Sequence, residues 1–240
     1  MPTASSPPSP TARRLAEVRA RIDAALERSG RPAGSVELVA VAKTATPETL
    51  REAWEAGQRL FGHNRVQALE AHREVLPEAT WHLLGPIQGK KVRRALAAAD
   101  LLEAVGDPTV VERLARRLEE DGATEACPLL VQVNLAPEDG RYGVALAELE
   151  HFLRLVEAQP LLRTAGLMTI APLGADEATT RALFRRLAGR FEELRRGGLL
   201  PLEARLSMGM SGDYETAVEE GATLVRVGRA IFPAADVHEA

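Results

Sequence analysis

Short apolar runs alternate along the chain with longer segments in which apolar residues recur every three or four positions. The runs at 36–43, 59–64, 80–85, 100–106, 128–134, 164–170, 204–210 and 223–228 read as eight strands. Leu129-Leu130-Val131-Gln132-Val133 is almost continuously apolar, the pattern of a parallel strand covered on both faces. Between the runs, Val110, Val111, Leu114 and Leu118 fall on one helical face, and Leu183, Phe184, Leu187, Phe191 and Leu194 on another. Eight strand-helix units in 240 residues predict an α/β fold, a single-domain (β/α)8 TIM barrel with an extra N-terminal helix over 11–28. That helix is expected to pack across the barrel rather than within its repeat. An open doubly wound sheet is the alternative, but no Gly-x-Gly-x-x-Gly follows the first strand to support it. Residues 1–10, rich in Pro and Ser, are expected to form a disordered tail, and 11–240 a single domain.

A barrel places its chemistry at the C-terminal ends of its strands. Those ends carry Lys43, Asn64, Gly85, Asn134, Ser207-Met208-Gly209 and Arg226-Val227-Gly228, which should converge on one mouth. Polar groups at strand ends also cap helices, so Asn134 taken alone is as readily structural as functional. Lys43 is the informative member, because lysine occurs only at 43, 90 and 91 among 30 basic residues. Arginine would supply the same charge, but its guanidinium keeps its proton, whereas a lysine amine sheds one when buried. A buried lysine at a strand end therefore points to covalent chemistry, most simply a Schiff base. The plainer alternative is a lysine that snorkels from the strand end into water.

Two further ends suit an anion. Ser207-Met208-Gly209-Met210-Ser211-Gly212 follows the seventh run, and its small residues let backbone N–H groups and hydroxyls approach a phosphate. Val227-Gly228-Arg229 follows the eighth and is expected to open another helix. Phosphate sites after strands seven and eight recur in this fold. Combined with a Schiff-base lysine they point to a phosphorylated aldehyde, with pyridoxal 5′-phosphate (PLP) as the candidate cofactor.

Composition narrows the field. A net charge of -4 gives no general attraction to nucleic acid or to an anionic membrane. The basic stretch Lys90-Lys91-Val92-Arg93-Arg94 reads as the solvated first turn of a helix. Cys127 is the only cysteine, so no internal disulfide forms and a reducing, cytoplasmic setting is expected. No apolar stretch is long enough to span a bilayer. His82 reads as a core histidine, while His63 should point away from the side of its strand that carries Asn64. His72, His151 and His238 read as surface residues, and no His/Asp/Glu spacing reads as a metal site.

Six segments together carry a family resemblance: VAVAKT (39–44), FGHN (61–64), WHLLGPIQ (81–88), GLMTI (166–170), LSMGMS (206–211) and VRVGRAIF (225–232). In order and spacing they resemble the pyridoxal-phosphate homeostasis protein family, over about residues 36–232. The resemblance implies a single barrel like that of alanine racemase, binding PLP as a fold-type III protein with no established reaction. It implies that Lys43 carries the Schiff base and that Ser207, Met208 and Gly228 line the phosphate pocket. Asn64 would sit beside the ring, and Arg226 near the pyridine nitrogen or the phosphate. Departures from the family's usual residues fall at His63, Arg65, Pro86, Lys90, Arg229 and Pro233. Arg229 matters most: a hydroxyl donor is lost, while its N–H can still donate and its guanidinium can meet the phosphate or Asp236.

The expected function is PLP storage, buffering or delivery in a monomer, with PLP-requiring apoenzymes as partners and no catalysis. A PLP-dependent amino-acid racemase is the alternative. Racemisation needs an acid/base group on each face of the substrate Cα, and the only tyrosines, Tyr142 and Tyr214, are expected at the surface. A Schiff-base aldolase acting on a sugar phosphate shares the lysine and the anion loops, and the resemblance disfavours it.

Overall fold

The computed structural model describes residues 7–136 and 140–233. Its strands, in chain order, are β1 (Glu37–Val41), β2 (Leu60–His63), β3 (Thr80–Leu83), β4 (Leu101–Val105), β5 (Cys127–Asn134), β6 (Val144–Ala145), β7 (Leu162–Met168), β8 (Arg205–Ser207) and β9 (Leu224–Val227). All pair in parallel, β9 returns to β1, and β4 joins β5, so eight strands close a barrel while the two-residue β6 pairs with β5 outside the ring. Each predicted run overlaps one barrel strand, β5 and β7 begin one and two residues early, and most strands stop one to three residues before the predicted end. The polar residues expected at strand ends therefore stand in the loops that follow.

Seven helices alternate with the strands: α2 (Pro47–Glu55), α3 (Val66–Val75), α4 (Val92–Ala98), α5 (Pro108–Glu120), α6 (Leu149–Glu157), α7 (Glu177–Arg196) and α8 (Tyr214–Glu219). Their starts are written in the sequence. Thr46 and Thr49 form a reciprocal capping box on α2, and the Asp107 and Asp176 side chains accept from Thr109 N and Thr179 N at 2.8 and 2.7 Å. Proline stands at the first turn of α2 and α5, where its missing N–H costs no hydrogen bond. Buried Phe184, Leu187, Phe191 and Leu194 on α7, and Val110, Val111 and Leu114 on α5, face the sheet as the apolar stripes require. The basic stretch after Gln88 forms a 3-10 turn over Gly89–Lys91 and then opens α4.

The N-terminal helix α1 (Pro10–Arg28) is capped by Ser9, whose hydroxyl accepts from Ala12 N at 3.1 Å. It buries Leu15, Val18, Ile22, Ala25 and Leu26 and packs against both α8 and α2. It thus stands in the helical ring, in the place a helix after β9 would take. Beyond β9, residues 229–232 form a turn in which Ile231 N and Phe232 N both donate to Gly228 O. Residues 1–6 of the expected tail, and Asp236 and His238, lie outside the described residues. Tyr214, expected at the surface, is 2% exposed because α1 covers it, with the Arg21 guanidinium 5.5 Å from the ring centroid.

Two apolar layers follow from strand alternation. The main core lies between sheet and helices, and a smaller cluster of Val39, Leu84, Leu101, Leu130, Met168 and Leu224 packs separately. Leu101 and Leu224 precede Glu103 and Arg226 by two residues, so each pair shares the inner face of its strand. Among the described residues, no helix is long and apolar enough to cross a membrane.

If α1 is an integral wall of the barrel, Leu15→Ala should cost about 2–4 kcal/mol, as other emptied core leucine sites do. Urea unfolding reads this as a lower midpoint at unchanged slope. An unaltered midpoint would show α1 to be an appendage.

Candidate functional site

The loops after β1, β2, β3, β7, β8 and β9 line a cavity of about 640 Å³ at the C-terminal mouth of the barrel. Its wall includes Lys43, Asn64, Arg226, Gly228 and Arg229, so these sequence-predicted residues do come together. Ser211, Gly212 and Asp213 form one side, and residues 170–175 an apolar rim on which Leu173 is 96% exposed.

Lys43 corrects one expectation. It was expected to be buried, yet the residue is exposed, because β1 ends at Val41 and Ala42 N makes the last ladder bond, to Gly62 O at 2.9 Å. The protein itself supplies no dry environment for this amine. Asn64 is likewise exposed on the cavity wall. Gly85 is not part of that wall; a Cβ there would lie 2.2 Å from Asn64 O, so only glycine lets the end of β3 run so close behind Asn64. Asn134 closes its own turn, donating to Arg141 O at 2.8 Å and accepting from Ala136 N at 3.0 Å, which decides for the structural alternative.

Ser207 and Met208 are expected around a phosphate, but the structure places both beneath the cavity rather than on its wall. Ser207 at the end of β8 points inward and Met208, just beyond it, outward into the main core, and both are fully buried. Neither lines the cavity. The hydroxyl of Ser207 accepts from Arg226 Nη1 at 2.5 Å and donates to Glu103 Oε2 at 2.6 Å. The other oxygen of Glu103 lies 2.6 Å from His82 Nδ1, and Arg226 Nη2 donates to Thr169 O at 2.7 Å. Burial alone would push the Glu103 carboxyl up. The His82 hydrogen bond and charge, the Arg226 charge and the Ser207 hydroxyl outweigh it, leaving the group below the usual carboxylate range. An ionised carboxylate only accepts, so His82 Nδ1 carries the proton. Burial pulls the Arg226 guanidinium down, against the charges of Glu103 and Asp213.

The predictive signal for Glu103 was present in the sequence: one acid in the centre of the apolar run Leu101-Leu102-Glu103-Ala104-Val105. A charge there must find partners inside the barrel. Ser211 belonged to a recognised anion loop, but nothing in the sequence separated it from Ser207. Cys127 is not a nucleophile at neutral pH, since burial, opposed only by Arg163, pushes its thiol up to about 11. Among the described residues no group of three or more His, Cys, Asp or Glu could hold a metal ion.

With this geometry in hand, comparison with known proteins is specific. The family described as alanine racemase, N-terminal domain, matches residues 14–236. The pyridoxal phosphate homeostasis protein of Escherichia coli is 36% identical over 232 residues, 94% of this chain and 97% of that protein. The chain belongs to the pyridoxal phosphate homeostasis protein family. PipY of Synechococcus elongatus, solved without and with PLP bound, is 39% and 40% identical, with TM-scores of 0.81 and 0.78. In both cases the match covers 92% of this chain and 99% of PipY. Alanine racemase of Corynebacterium glutamicum, at 18% identity and a TM-score of 0.66, shares the fold, and the match takes in 94% of this chain but 63% of that one.

Behind the cavity wall lies a titratable pair. His63 turns away from the cavity, as alternation requires, and meets His72 edge-on at 5.5 Å between ring centroids. His72, expected at the surface, is half-buried on α3, facing His63 and Trp81. Burial first, then the charges of His72, Arg65 and Lys43, pushes His63 down to about 4. The unfolded chain keeps the usual value near 6.5, so it binds the proton more readily. The contribution is whole above pH 6.5 and is lost as pH falls towards 4. The full gap is worth at most about 3 kcal/mol, since neighbouring groups relax around a charged ring. His63→Gln should flatten the acid limb of the stability curve by up to that amount, measured by urea unfolding between pH 4 and 7. An acid limb as steep as in the unaltered chain would assign the loss to other groups.

Proposed function

We propose that this chain binds PLP at the barrel mouth and serves intracellular PLP homeostasis by storing, buffering or delivering the cofactor, without a catalytic cycle of its own. One observation carries this reading: the single cavity wall that joins the Lys43 amine, the Arg226 guanidinium and the anion-suited loops after β8 and β9. When bound, PLP supplies an aldehyde that a neutral lysine amine joins as a Schiff base with loss of water, a linkage that water or another amine reverses.

The residues present fit such a group. The N–H groups of Ser211, Gly212, Arg229 and Ala230 make no hydrogen bond within the described chain, and Gly228 N has only a long one, 3.4 Å to Ser211 Oγ. Donors of this kind, on two adjoining loops, suit a phosphate. A Cβ on Gly228 would lie 3.1 Å from Val41 O, so glycine keeps the wall open between the lysine end and the phosphate end. Arg229 is exposed on the same wall, and its guanidinium takes the place of the usual hydroxyl donor. Arg226 presents fixed positive charge from the floor, and Asn64 a polar side. Lys43 becomes dry only beneath a ligand, which suits a group that is taken up and released.

The absence of turnover is supported by where the tyrosines stand. Tyr142 accepts from Gly106 N at 2.9 Å, Tyr214 is buried beneath α1, and neither lines the cavity. Among the described residues, Lys43 is then the only amine on the cavity wall, and a racemase needs a partner for it across the substrate. The reducing setting expected from a lone cysteine, and apoenzymes that accept the cofactor, belong to the same proposal, as does the monomeric state.

Purified chain incubated with PLP should turn yellow, and Lys43→Ala should remove the visible band while leaving the circular dichroism unchanged. Retention of the band in Lys43→Ala would move the linkage elsewhere. A colourless protein that traps a sugar phosphate on borohydride treatment would favour the aldolase. Arg229→Ala should raise the dissociation constant for PLP about tenfold, the size of one charge-assisted contact. An unchanged constant would leave the phosphate to backbone donors alone.

A further inference from the structure

Glu103 has no place in the binding site as described above, yet burying its charge inside the barrel is costly. Its carboxylate is 0% exposed at the centre of β4, and an unpaired charge there would be strongly destabilising. It is held by His82 from β3 and by Ser207 from β8, and Arg226 Nη1 stands 3.9 Å from its Oε2. The second arm of Arg226 is fixed by Thr169 O, and the Thr169 hydroxyl is itself anchored to Val133 O at 2.8 Å. Of this sealed group, Arg226 alone reaches the cavity wall. Strands β3, β4, β8 and β9 thus converge on one guanidinium.

Resting on the PLP-binding reading of the cavity, we propose that Glu103 is a positioning residue that holds Arg226 in one orientation as the fixed cation of the cofactor site, with Ser207 as the bridge between them. Ser207 is then not a phosphate ligand, because both its donor and an acceptor position are committed below the cavity. The charged groups that bear on Arg226 are Glu103 from β4 and Asp213 from the loop after β8; His82 reaches it through Glu103, and Lys43 stands at the mouth. Glu103→Gln keeps the shape of the side chain and deletes its charge. The guanidinium loses its ionic partner and Ser207 its charged acceptor, and the floor of the site gains one net positive charge, which disfavours a further proton on anything bound above it.

The test uses the full chain in two states. Without PLP, arginine labelled with ¹⁵N should give resolved Nη–H signals for Arg226, assigned by their loss in Arg226→Lys, because both arms are held. Glu103→Gln and Ser207→Ala should merge them through free rotation. With PLP, Glu103→Gln should raise the dissociation constant about tenfold and lower the pH midpoint of the visible band by about half a unit or more. Ser207→Ala, which retains the carboxylate, should loosen the cofactor with a smaller midpoint shift. A folded Glu103→Gln chain with resolved Arg226 signals and an unchanged midpoint would overturn the inference, leaving Glu103 a residue of the fold alone. Should Glu103→Gln fail to fold, Ser207→Ala decides by the same signals: merged supports, resolved overturns. If the unaltered chain takes up no PLP, the binding reading fails, while the Arg226 signals still decide whether Glu103 positions it.

Discussion

The pairing of β9 with β1 is the constraint on which the site depends. Val39 lies opposite Arg226 and Ala40 opposite Val227, so closing the ring carries the loop after β9 to the loop after β1. Lys43 and Gly228, far apart in sequence, then share one wall. Without that closure the amine and the anion-suited loops belong to opposite edges of an open sheet, and no single ligand could meet both. Parallel strands make this possible because every strand delivers its C-terminal end to the same face. The helical ring supports the closure from outside, with α1 filling the place between α8 and α2.

Inside the barrel, the same alternation that builds the site also builds its floor. Apolar residues such as Leu101 and Leu224 fill one layer, and two residues further on the same strands carry Glu103 and Arg226. A buried ion pair of this kind contributes little net stability, since desolvation offsets most of the attraction. Its value lies in direction: the guanidinium is tied on both arms and faces the cavity on what remains. The contrast with the mouth is marked. There Lys43, Asn64 and Arg229 are exposed on the cavity wall. Fixed charge below and exposed donors above suit the reversible holding proposed for this site.

The architecture was legible because it rests on local periodicity. Nearly continuous apolar runs located every barrel strand, and apolar stripes located α5 and α7, since both patterns are forced by burial. The gathering of Lys43, Asn64, Arg226, Gly228 and Arg229 was legible too, because parallel strands dictate which ends meet. Side-chain direction was less so. The apolar runs continue past the last ladder bond, so Lys43 read as the end of a buried strand when it begins a loop. Ser207 and Ser211 look alike in a Gly-Met-Ser loop, and only the strand's end at Ser207 shows that one faces the barrel axis and the other the cavity. Tyr214 read as a surface residue because its cover, α1, comes from the opposite end of the chain. Glu103 could have been found as an acid in an apolar strand, but its partners on β3, β8 and β9 are long-range neighbours that no spacing reveals.

The central claim is that the amine of Lys43, and no other, receives the cofactor. The most direct measurement is peptide mapping by mass spectrometry after PLP-loaded protein has been reduced with borohydride. The account predicts one pyridoxyl-phosphate adduct, on the peptide that carries residue 43. An adduct on Lys90 or Lys91 instead, or no adduct on protein that has bound PLP, would contradict it.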